Sequence, residues 1–171
     1  MQIQVADVIM PGNENAFTTG QRWHISGLAE LPELHRSLLE KPVTAALATI
    51  KPSGLPHLTP VWVSHDGTHV LLNTKKGRLK ERNMRGRPKV SLLCVNPQNP
   101  YHWITINGTV EEVIEETDSA KGGQATTHID DMAERYLGKR PYPLRDSRGE
   151  VRVLFKVRPD YIMTFGPPPG S

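Results

Sequence analysis

The segment from Val43 to Thr74, VTAALATIKPSGLPHLTPVWVSHDGTHVLLNT, decides the fold. Its first eight residues are apolar and rich in β-branched side chains, which is typical of a strand buried on both faces. A turn at Lys51–Gly54 and an Asp66–Gly67 hairpin signal interrupt the apolar runs. The segment therefore predicts a meander of three strands, at Val43–Ile50, Leu55–His65 and His69–Thr74.

The flanking segments predict further strands and a few short helices. The helices are expected at Leu31–Lys41, Gly77–Arg85 and Thr127–Leu137, with Gly86 and Gly138 following the last two and a loop at Thr117–Ala125. The strands are expected at Lys89–Val95, Tyr101–Ile114, Glu150–Val157 and Tyr161–Phe165. Asn107–Gly108 is either a hairpin turn or a glycine bulge within one long strand. Six or seven strands with peripheral helices favour an antiparallel barrel over a βαβ fold.

Length and composition indicate one folded domain. A chain of 171 residues is long enough to bury a core, and no run of 18 apolar residues predicts a membrane span. The absence of a signal-peptide pattern and the single Cys94 favour a cytoplasmic protein without disulfides. Residues 1–27 are predicted to be a leader, with a short strand at Gln2–Val5, that is either disordered or laid as an arm on a partner. Residues 169–171 are predicted to be a tail.

Positive charge is concentrated between Asn73 and Lys89, NTKKGRLKERNMRGRPK. Eight basic residues and one acid give this stretch a charge of +7, whereas the whole chain carries +3. Such a local excess is typical of an anion site. Arg78 and Lys80 lie near a predicted helix start, where backbone N–H groups also favour an anion.

Three alternatives for this stretch are a solvated charged helix, a nucleotide-binding loop and a nucleic-acid contact. The spacing matches neither a Walker A loop nor a GxGxxG fingerprint. Stacking aromatic residues are not interleaved with the basic ones, which disfavours nucleic acid. We therefore expect a bound phosphate or carboxylate.

No catalytic or metal-binding constellation is recognisable elsewhere. The seven histidines form no HExxH pair, and no Ser-His-Asp or Cys-His arrangement stands out. Trp62 and Trp103 are interpreted as core residues, although Trp103 could also flank a flat ring. A protein without a nucleophilic side chain can still be an enzyme if a cofactor performs the chemistry.

Three blocks of sequence resemble a known family. They are ATIKPSGLPHLTPVWV (Ala48–Val63), NTKKGRLKERNMRGRPKVSL (Asn73–Leu92) and NPYHWITINGTVEEV (Asn99–Val113). The chain resembles the pyridoxamine 5′-phosphate oxidase-like split-barrel proteins, and within them the oxidoreductases dependent on the deazaflavin coenzyme F-420. The resemblance covers about Leu31–Pro168 and implies a split barrel over residues 28–168.

The resemblance implies a homodimer with the cofactor at its interface and hydride transfer to or from a small unsaturated organic substrate. Coenzyme F-420 is the first choice and FMN the close alternative. A non-catalytic protein that binds or stores FMN, F-420 or haem is the competing interpretation. Members of the family keep the Asn107–Gly108 region as one strand, so the resemblance favours the bulge.

Site residues follow from the matching positions. Arg78 and Lys80 are expected to hold the cofactor phosphate, supported by Asn73, Thr74 and Asn83. The residues expected to line the ring are His57, Thr59, Pro60 and Val61. His57 stands where relatives often have Gln, and Pro60 where Asn occurs. The cations expected to reach the acidic tail of F-420 are Lys75, Lys76 and Arg82.

Overall fold

A computed structural model of the chain describes residues 2–9, 18–146 and 149–166. Within these residues the chain forms nine strands, three α-helices and a 3-10 turn at Leu28–Glu30. The strands are β1 Ile3–Ile9, β2 Thr18–Ile25, β3 Ala45–Ile50, β4 Pro56–Val61, β5 Val63–His65, β6 Val70–Lys75, β7 Lys89–Asn96, β8 Asn99–Glu115 and β9 Arg152–Phe165. The helices are α1 Glu33–Glu40, α2 Leu79–Gly86 and α3 Gly122–Leu137. The expected mainly β fold with peripheral helices is confirmed.

Strand β9 organises the sheet. It pairs with β8 along one edge, while β6 and then β1 occupy its other edge. The prediction of two separate strands here is wrong, because β9 runs through Pro159. Pro159 lies opposite Gly108, where the ladder shifts register, so its missing N–H breaks no regular pairing. The pairing of β1 with β9 is parallel, which the antiparallel prediction did not include.

The predicted meander is confirmed, but its second strand is divided at Trp62. The part before Trp62, β4, pairs with β3, whereas the part after it, β5, pairs with β6. Among the described residues no strand pair joins β4 to β6, so the sheet stays open on this side. The open side of the barrel is where the candidate site lies.

The leader contributes two strands. β1 and β2 pair with each other, and β1 continues the sheet beyond β9. The short strand expected at Gln2–Val5 is therefore present and longer than predicted. A role for the leader as an arm on a partner stays a prediction. Residues 10–17 and the predicted tail at 169–171 lie outside the described residues.

Gly108 decides between the two interpretations of β8. The strand is continuous from Asn99 to Glu115, with a register shift between Asn107 and Gly108. A Cβ atom on Gly108 would lie 2.6 Å from the carbonyl oxygen of Arg158. The bulge is thus confirmed, and only glycine fits this close approach without a backbone shift.

The helix predictions are right in number and imprecise in their ends. The loop expected at Thr117–Ala125 is wrong, because α3 already begins at Gly122, where a Cβ would lie 2.2 Å from the carbonyl oxygen of Glu116. Gly138 ends α3, as predicted, and adopts the left-handed conformation. Gly86 instead belongs to α2, and Arg87 caps that helix.

The barrel interior is filled with aliphatic side chains and Phe155. The largest of these fully buried side chains on the strands are Leu47, Leu72, Leu92, Ile104, Ile106, Phe155 and Ile162. Cys94 is also buried, as expected, and burial raises the pKa of its thiol to about 12. Within the described part of the chain, no helix is both long and apolar enough to cross a membrane.

A candidate anion-binding cleft at the open side of the barrel

A cleft of about 320 Å³ lies beside the bend between β4 and β5. Strands, helices and several connecting segments all contribute to it, which is why no single sequence segment reveals it. Its lining residues are Thr44, Pro60, Val61, Trp62, Asn73, Arg78, Lys80, Ile129, Met132, Tyr142, Leu144 and Arg152. Five of the nine residues expected at the cofactor site are in this set: Pro60, Val61, Asn73, Arg78 and Lys80.

Arg78 and Lys80 bring positive charge into the cleft from the start of α2. Gly77 adopts a φ of 85°, which lets the chain turn sharply from β6 into the helix. Lys80 donates a hydrogen bond to the carbonyl oxygen of Pro60 at 3.3 Å. No carboxylate of the described residues lies within 4 Å of either cation, in contrast to most of their basic neighbours.

The pKa of Lys80 is lowered to about 8. Burial of the ammonium group is the largest cause, and the nearby charges of Arg78 and Arg152 add to it. Like charges held together in a partly desolvated cleft disfavour one another. An anion between them would relieve this repulsion.

Most of the other basic residues of the stretch are engaged within the protein. Lys75 pairs with Asp146 at 2.9 Å, and Lys76 pairs with Glu115 at 2.6 Å. Arg82 donates to the carbonyl oxygen of Gly77 at 2.6 Å. This arrangement disfavours the expectation that Lys75, Lys76 and Arg82 reach the acidic tail of F-420.

Arg85 and Arg87 are likewise engaged. Arg85 pairs with Glu81 and also contacts Glu115 at 2.6 Å. Arg87 donates to the carbonyl oxygen of Ile50 at 2.7 Å. The single cluster expected from the sequence therefore contains a neutralised part, Lys75, Lys76 and Arg85, which pair with acids, and a cleft-facing part, Arg78 and Lys80.

Arg152 is a cleft residue that the sequence did not reveal. Only 3% of it is exposed, and its Nε donates to Oδ1 of Asn73 at 2.8 Å. Its Nη1 donates to Glu150 at 2.6 Å, and its guanidinium carbon lies 5.2 Å from the ring centroid of Tyr142. In sequence, Arg152 sits on the polar side of an alternating strand, a position that ordinarily faces solvent.

Asn73 supports the cleft indirectly. Its Nδ2 donates to the carbonyl oxygen of Ala125 at 2.8 Å, while its Oδ1 accepts from Arg152. Both ends of the amide are thus occupied, and Asn73 orients Arg152. Thr74 and Asn83 are buried and do not line the cleft; Asn83 donates to Thr49 at 3.0 Å.

The four residues expected to line the cofactor ring all lie on β4. Pro60 and Val61 line the cleft, and Thr59 lines a more open groove with Leu58 on the other side of Pro60. His57 lines neither, yet its Nδ1 and the Oγ1 of Thr59 are both buried without a hydrogen-bond partner in the structure. Residues 57 and 59 share one face of β4 with Val61, whereas Pro60 lies on the opposite face.

Aromatic side chains form the apolar wall of the cleft. Trp62 stacks on Tyr136 at a centroid distance of 5.1 Å and meets the edge of Tyr142 at 6.0 Å. Trp62 is half-buried and lines the cleft, so the interpretation of it as a core residue is wrong. Trp103 packs near Phe165 at 5.9 Å and does not line the cleft.

The histidines do not assemble a metal site within residues 2–9, 18–146 and 149–166. His128 lies inside α3, and its Nε2 is 2.9 Å from Oγ of Ser64. Burial lowers the pKa of His128 to about 4, so the imidazole is neutral at pH 7. This pair connects α3 to β5.

Comparison with known proteins identifies the family. The model of the pyridoxamine 5′-phosphate oxidase family matches residues 31–164. The chain therefore belongs to this family. It is also 29% identical over 146 residues to a pyridoxine/pyridoxamine 5′-phosphate oxidase of a Bradyrhizobium species, an alignment that covers 81% of this chain. The chain spans 63% of the length of that curated relative.

Solved structures with the same fold include a reductase and a storage protein. An F420 reductase is 30% identical, has a TM-score of 0.65, and is matched over 77% of this chain and 98% of its own. HutZ, the haem storage protein of Vibrio cholerae, is 17% identical with a TM-score of 0.55, matched over 77% of this chain and 92% of its own. The second similarity concerns the fold alone. The split-barrel fold expected from the sequence is thereby confirmed.

Proposed function

We propose that the protein is an oxidoreductase that transfers a hydride between coenzyme F-420, or alternatively FMN, and a small unsaturated organic substrate. The observation that carries this proposal is the pair of cations Arg78 and Lys80, which lack carboxylate partners among the described residues and face a cleft beside β4. The similarity to an F420 reductase over 98% of that chain supports F-420 as the first choice.

A cofactor phosphate fits the cation pair by charge and position. The guanidinium of Arg78 offers a planar fork of donors, and the ammonium of Lys80 adds a point charge. Arg78 is the N-cap residue of α2 and Lys80 lies in its first turn, where the helix dipole favours an anion. These residues would bind the phosphate and so fix the position of the whole cofactor.

The cofactor ring fits the β4 side of the cleft. Pro60 and Val61 line the cleft and offer the ring an apolar surface. When bound, the cofactor supplies the hydride chemistry. The protein residues then orient the ring against the substrate and exclude water from the reacting face.

A second copy of the chain would complete the ring site. The side of the barrel around β3, β4 and β7 exposes apolar residues: Leu55 at 61%, Leu58 at 65% and Leu93 at 38%. Leu93 pairs with Ala46 on β3, and Ala46 pairs with Pro60 on β4, so apolar and small residues continue across these strands. We infer a homodimer that buries this face together with the ring.

A binding or storage protein without turnover is the alternative. No described side chain that lines the cleft is a carboxylic acid, a histidine or a thiol. Binding without catalysis would use the same residues, and only a measurement of turnover distinguishes the two functions.

The test begins with cofactor binding. FMN and F-420 are titrated separately into the purified protein by fluorescence quenching, with Arg78→Ala and Lys80→Ala as site variants. Lys76→Ala is the matched control, because Lys76 pairs with Glu115 and does not line the cleft. We expect binding that both site variants weaken and the control retains.

Turnover is measured next with the cofactor that binds. The reduced form of that cofactor is mixed, in the absence of oxygen, with a panel of enones and quinones, and its oxidation is followed by absorbance. Oxidation that depends on an acceptor and on Arg78 supports an oxidoreductase. Tight binding without oxidation across the panel supports the storage function. Binding of neither cofactor contradicts the proposed oxidoreductase and leaves only haem as the ligand of a storage protein.

A further inference from the structure

We propose that Arg152 is a third phosphate-binding residue of the cleft, presented from β9 and held in place by Asn73, Glu150 and Tyr142. This inference extends the proposed function by assigning a second wall of the same anion site. It concerns a residue outside the basic stretch, 72 positions beyond Lys80 in the chain.

The environment of Arg152 is unusual for a charged side chain. Arginine remains protonated when buried, and burying its charge is unfavourable unless the group is paired. Here 97% of the residue is buried, and its ion pair with Glu150 is buried with it, since the side-chain exposures are 3% and 4%. A positive charge on the protein surface carries no such desolvation cost. The burial of Arg152 in the wall of the cleft therefore indicates a function there beyond pairing with Glu150.

Three contacts hold the guanidinium in one orientation. Asn73 accepts from Nε at 2.8 Å, Glu150 accepts from Nη1 at 2.6 Å, and Tyr142 covers a face of the plane. Asn73 is itself fixed by its bond to Ala125. These contacts use two of the five N–H donors, and Nη2 makes no hydrogen bond with any described residue.

The position of Arg152 matches the needs of a phosphate. Arg78, Lys80 and Arg152 all line the cleft, and the charges of both arginines contribute to the lowered pKa of Lys80. A phosphate monoester carries up to two negative charges and three strong acceptor oxygens. Cations on the α2 and β9 walls would bind different oxygens of one phosphate.

Glu150 and Asn73 are therefore positioning residues. Glu150 also accepts from the backbone N–H of Asp146 at 3.2 Å, and Asp146 pairs with Lys75. Lys75, one of the cations expected at the F-420 tail, instead anchors the loop beside Glu150. The neutralised part of the basic stretch thus supports the cleft-facing part.

The experiment compares phosphorylated and phosphate-free ligands on four variants. The main ligand pair is FMN with riboflavin, which differ only in the phosphate. F-420 and the ribityl deazaflavin that lacks both the phosphate and the acidic tail form a second pair, and inorganic pyrophosphate is a third probe, measured by calorimetry. The variants are Arg152→Gln, Arg152→Lys, Asn73→Ala and the control Arg145→Gln. Arg145 is a nearby arginine that pairs with Glu116 and does not line the cleft.

We expect Arg152→Gln to weaken binding of the phosphorylated ligand and of pyrophosphate by about tenfold or more, the typical effect of a charge-assisted hydrogen bond. Affinity for the phosphate-free ligand should change less than about twofold. Arg152→Lys and Asn73→Ala should lie between wild type and Arg152→Gln, and Arg145→Gln should resemble wild type. If Arg152→Gln does not fold, the Arg152→Lys and Asn73→Ala variants give the same comparison.

Two results would overturn the inference. One is a folded Arg152→Gln variant with wild-type affinity for the phosphorylated ligand. The other is an equal loss for both members of a ligand pair, which indicates a purely structural role. Pyrophosphate binding that depends on Arg152, in a protein that binds neither cofactor, would remove the proposed function and keep this inference. A wild type that binds none of the probes would remove both.

Discussion

Two cations of the basic stretch, Lys76 and Lys80, are only four positions apart and have opposite surroundings. Lys76 forms an ion pair with Glu115 at 2.6 Å, and about half of its side chain is exposed. Lys80 lies in the cleft next to Arg78, and burial beside like charge lowers its pKa to about 8. The basic residues look alike in the sequence of this stretch, but the fold places them in two different environments. Glu115, Asp146 and Glu81 neutralise one part, and the other part remains available to a ligand.

The largest expected effect contrasts the two parts directly. The double variant Arg78→Ala, Lys80→Ala should weaken binding of the phosphorylated cofactor about 100-fold or more, because each charge-assisted hydrogen bond contributes about 1.5–3 kcal/mol. The double variant Lys75→Ala, Lys76→Ala should stay within about tenfold of wild type. Fluorescence titration measures both. Equal losses in the two variants would remove the distinction between the parts.

A substitution of Glu81 tests how much its ion pair with Arg85 within α2 contributes to stability. Its side chain is 4% exposed, accepts from the backbone N–H of Gly77 at 3.1 Å and pairs with Arg85. Glu81→Gln keeps the shape and removes the charge, so we expect a loss of about 1–3 kcal/mol in the free energy of unfolding. Chemical denaturation followed by circular dichroism gives this value. A neutral result would indicate that the ion pair contributes nothing to stability.

The pH dependence of binding should identify Lys80. The group is charged below its pKa of about 8 and neutral above it, so affinity for the phosphate should fall as the pH rises through this value. Lys80→Arg stays charged throughout and should remove the fall between pH 7 and pH 9. Titrations at several pH values, with Lys76→Arg as the control, measure it. A persisting fall in Lys80→Arg would assign the titration to another group.

Glu116 should cause a smaller, acid-side dependence of stability. Despite burial, which acts in the opposite direction, its hydrogen bonds from Arg145, Thr126 and the backbone of Arg152 lower the pKa of this carboxyl to about 2. Because the folded-state pKa lies below the unfolded-state value of 4.5, the stabilisation is complete above about pH 4.5 and is lost as the pH falls toward 2. Denaturation midpoints of wild type and Glu116→Gln should therefore converge in acid. Parallel curves would contradict this.

Glu115→Gln should have the smallest effect. It removes a surface partner of Lys76 and Arg85, and such exposed pairs contribute about 0–1 kcal/mol. Cofactor affinity should stay within about twofold, since the released charges do not line the cleft. A clear gain in affinity for F-420 but not for FMN would restore Lys76 as a contact of the acidic tail.

Local patterns predicted the elements that depend on local contacts. The meander, the Asp66–Gly67 turn and the left-handed Gly138 all follow from residues a few positions apart. The bulge at Gly108 needed the family resemblance, because Asn-Gly alone also predicts a hairpin. The α3 start was missed because its position is set by a close approach of Gly122 to Glu116, which propensity does not describe.

The candidate site was predicted less completely for the same physical reason. Arg78 and Lys80 could be predicted because they belong to a basic stretch that follows one predicted strand and opens a predicted helix. Arg152 was missed because its partner Asn73 is 79 residues away, and an alternating strand gives no sign that a polar position is buried. The pairing of Lys75 and Lys76 also depends on acids 71 and 39 residues away, so a count of charges could not separate paired from unpaired cations.

A crystal structure of the protein with F-420 or FMN tests the central claim most directly. We predict the phosphate within hydrogen-bond distance of Arg78 and Lys80, and the ring along β4 beside Pro60 and Val61. A cofactor bound elsewhere, with its phosphate away from both cations, would contradict the account.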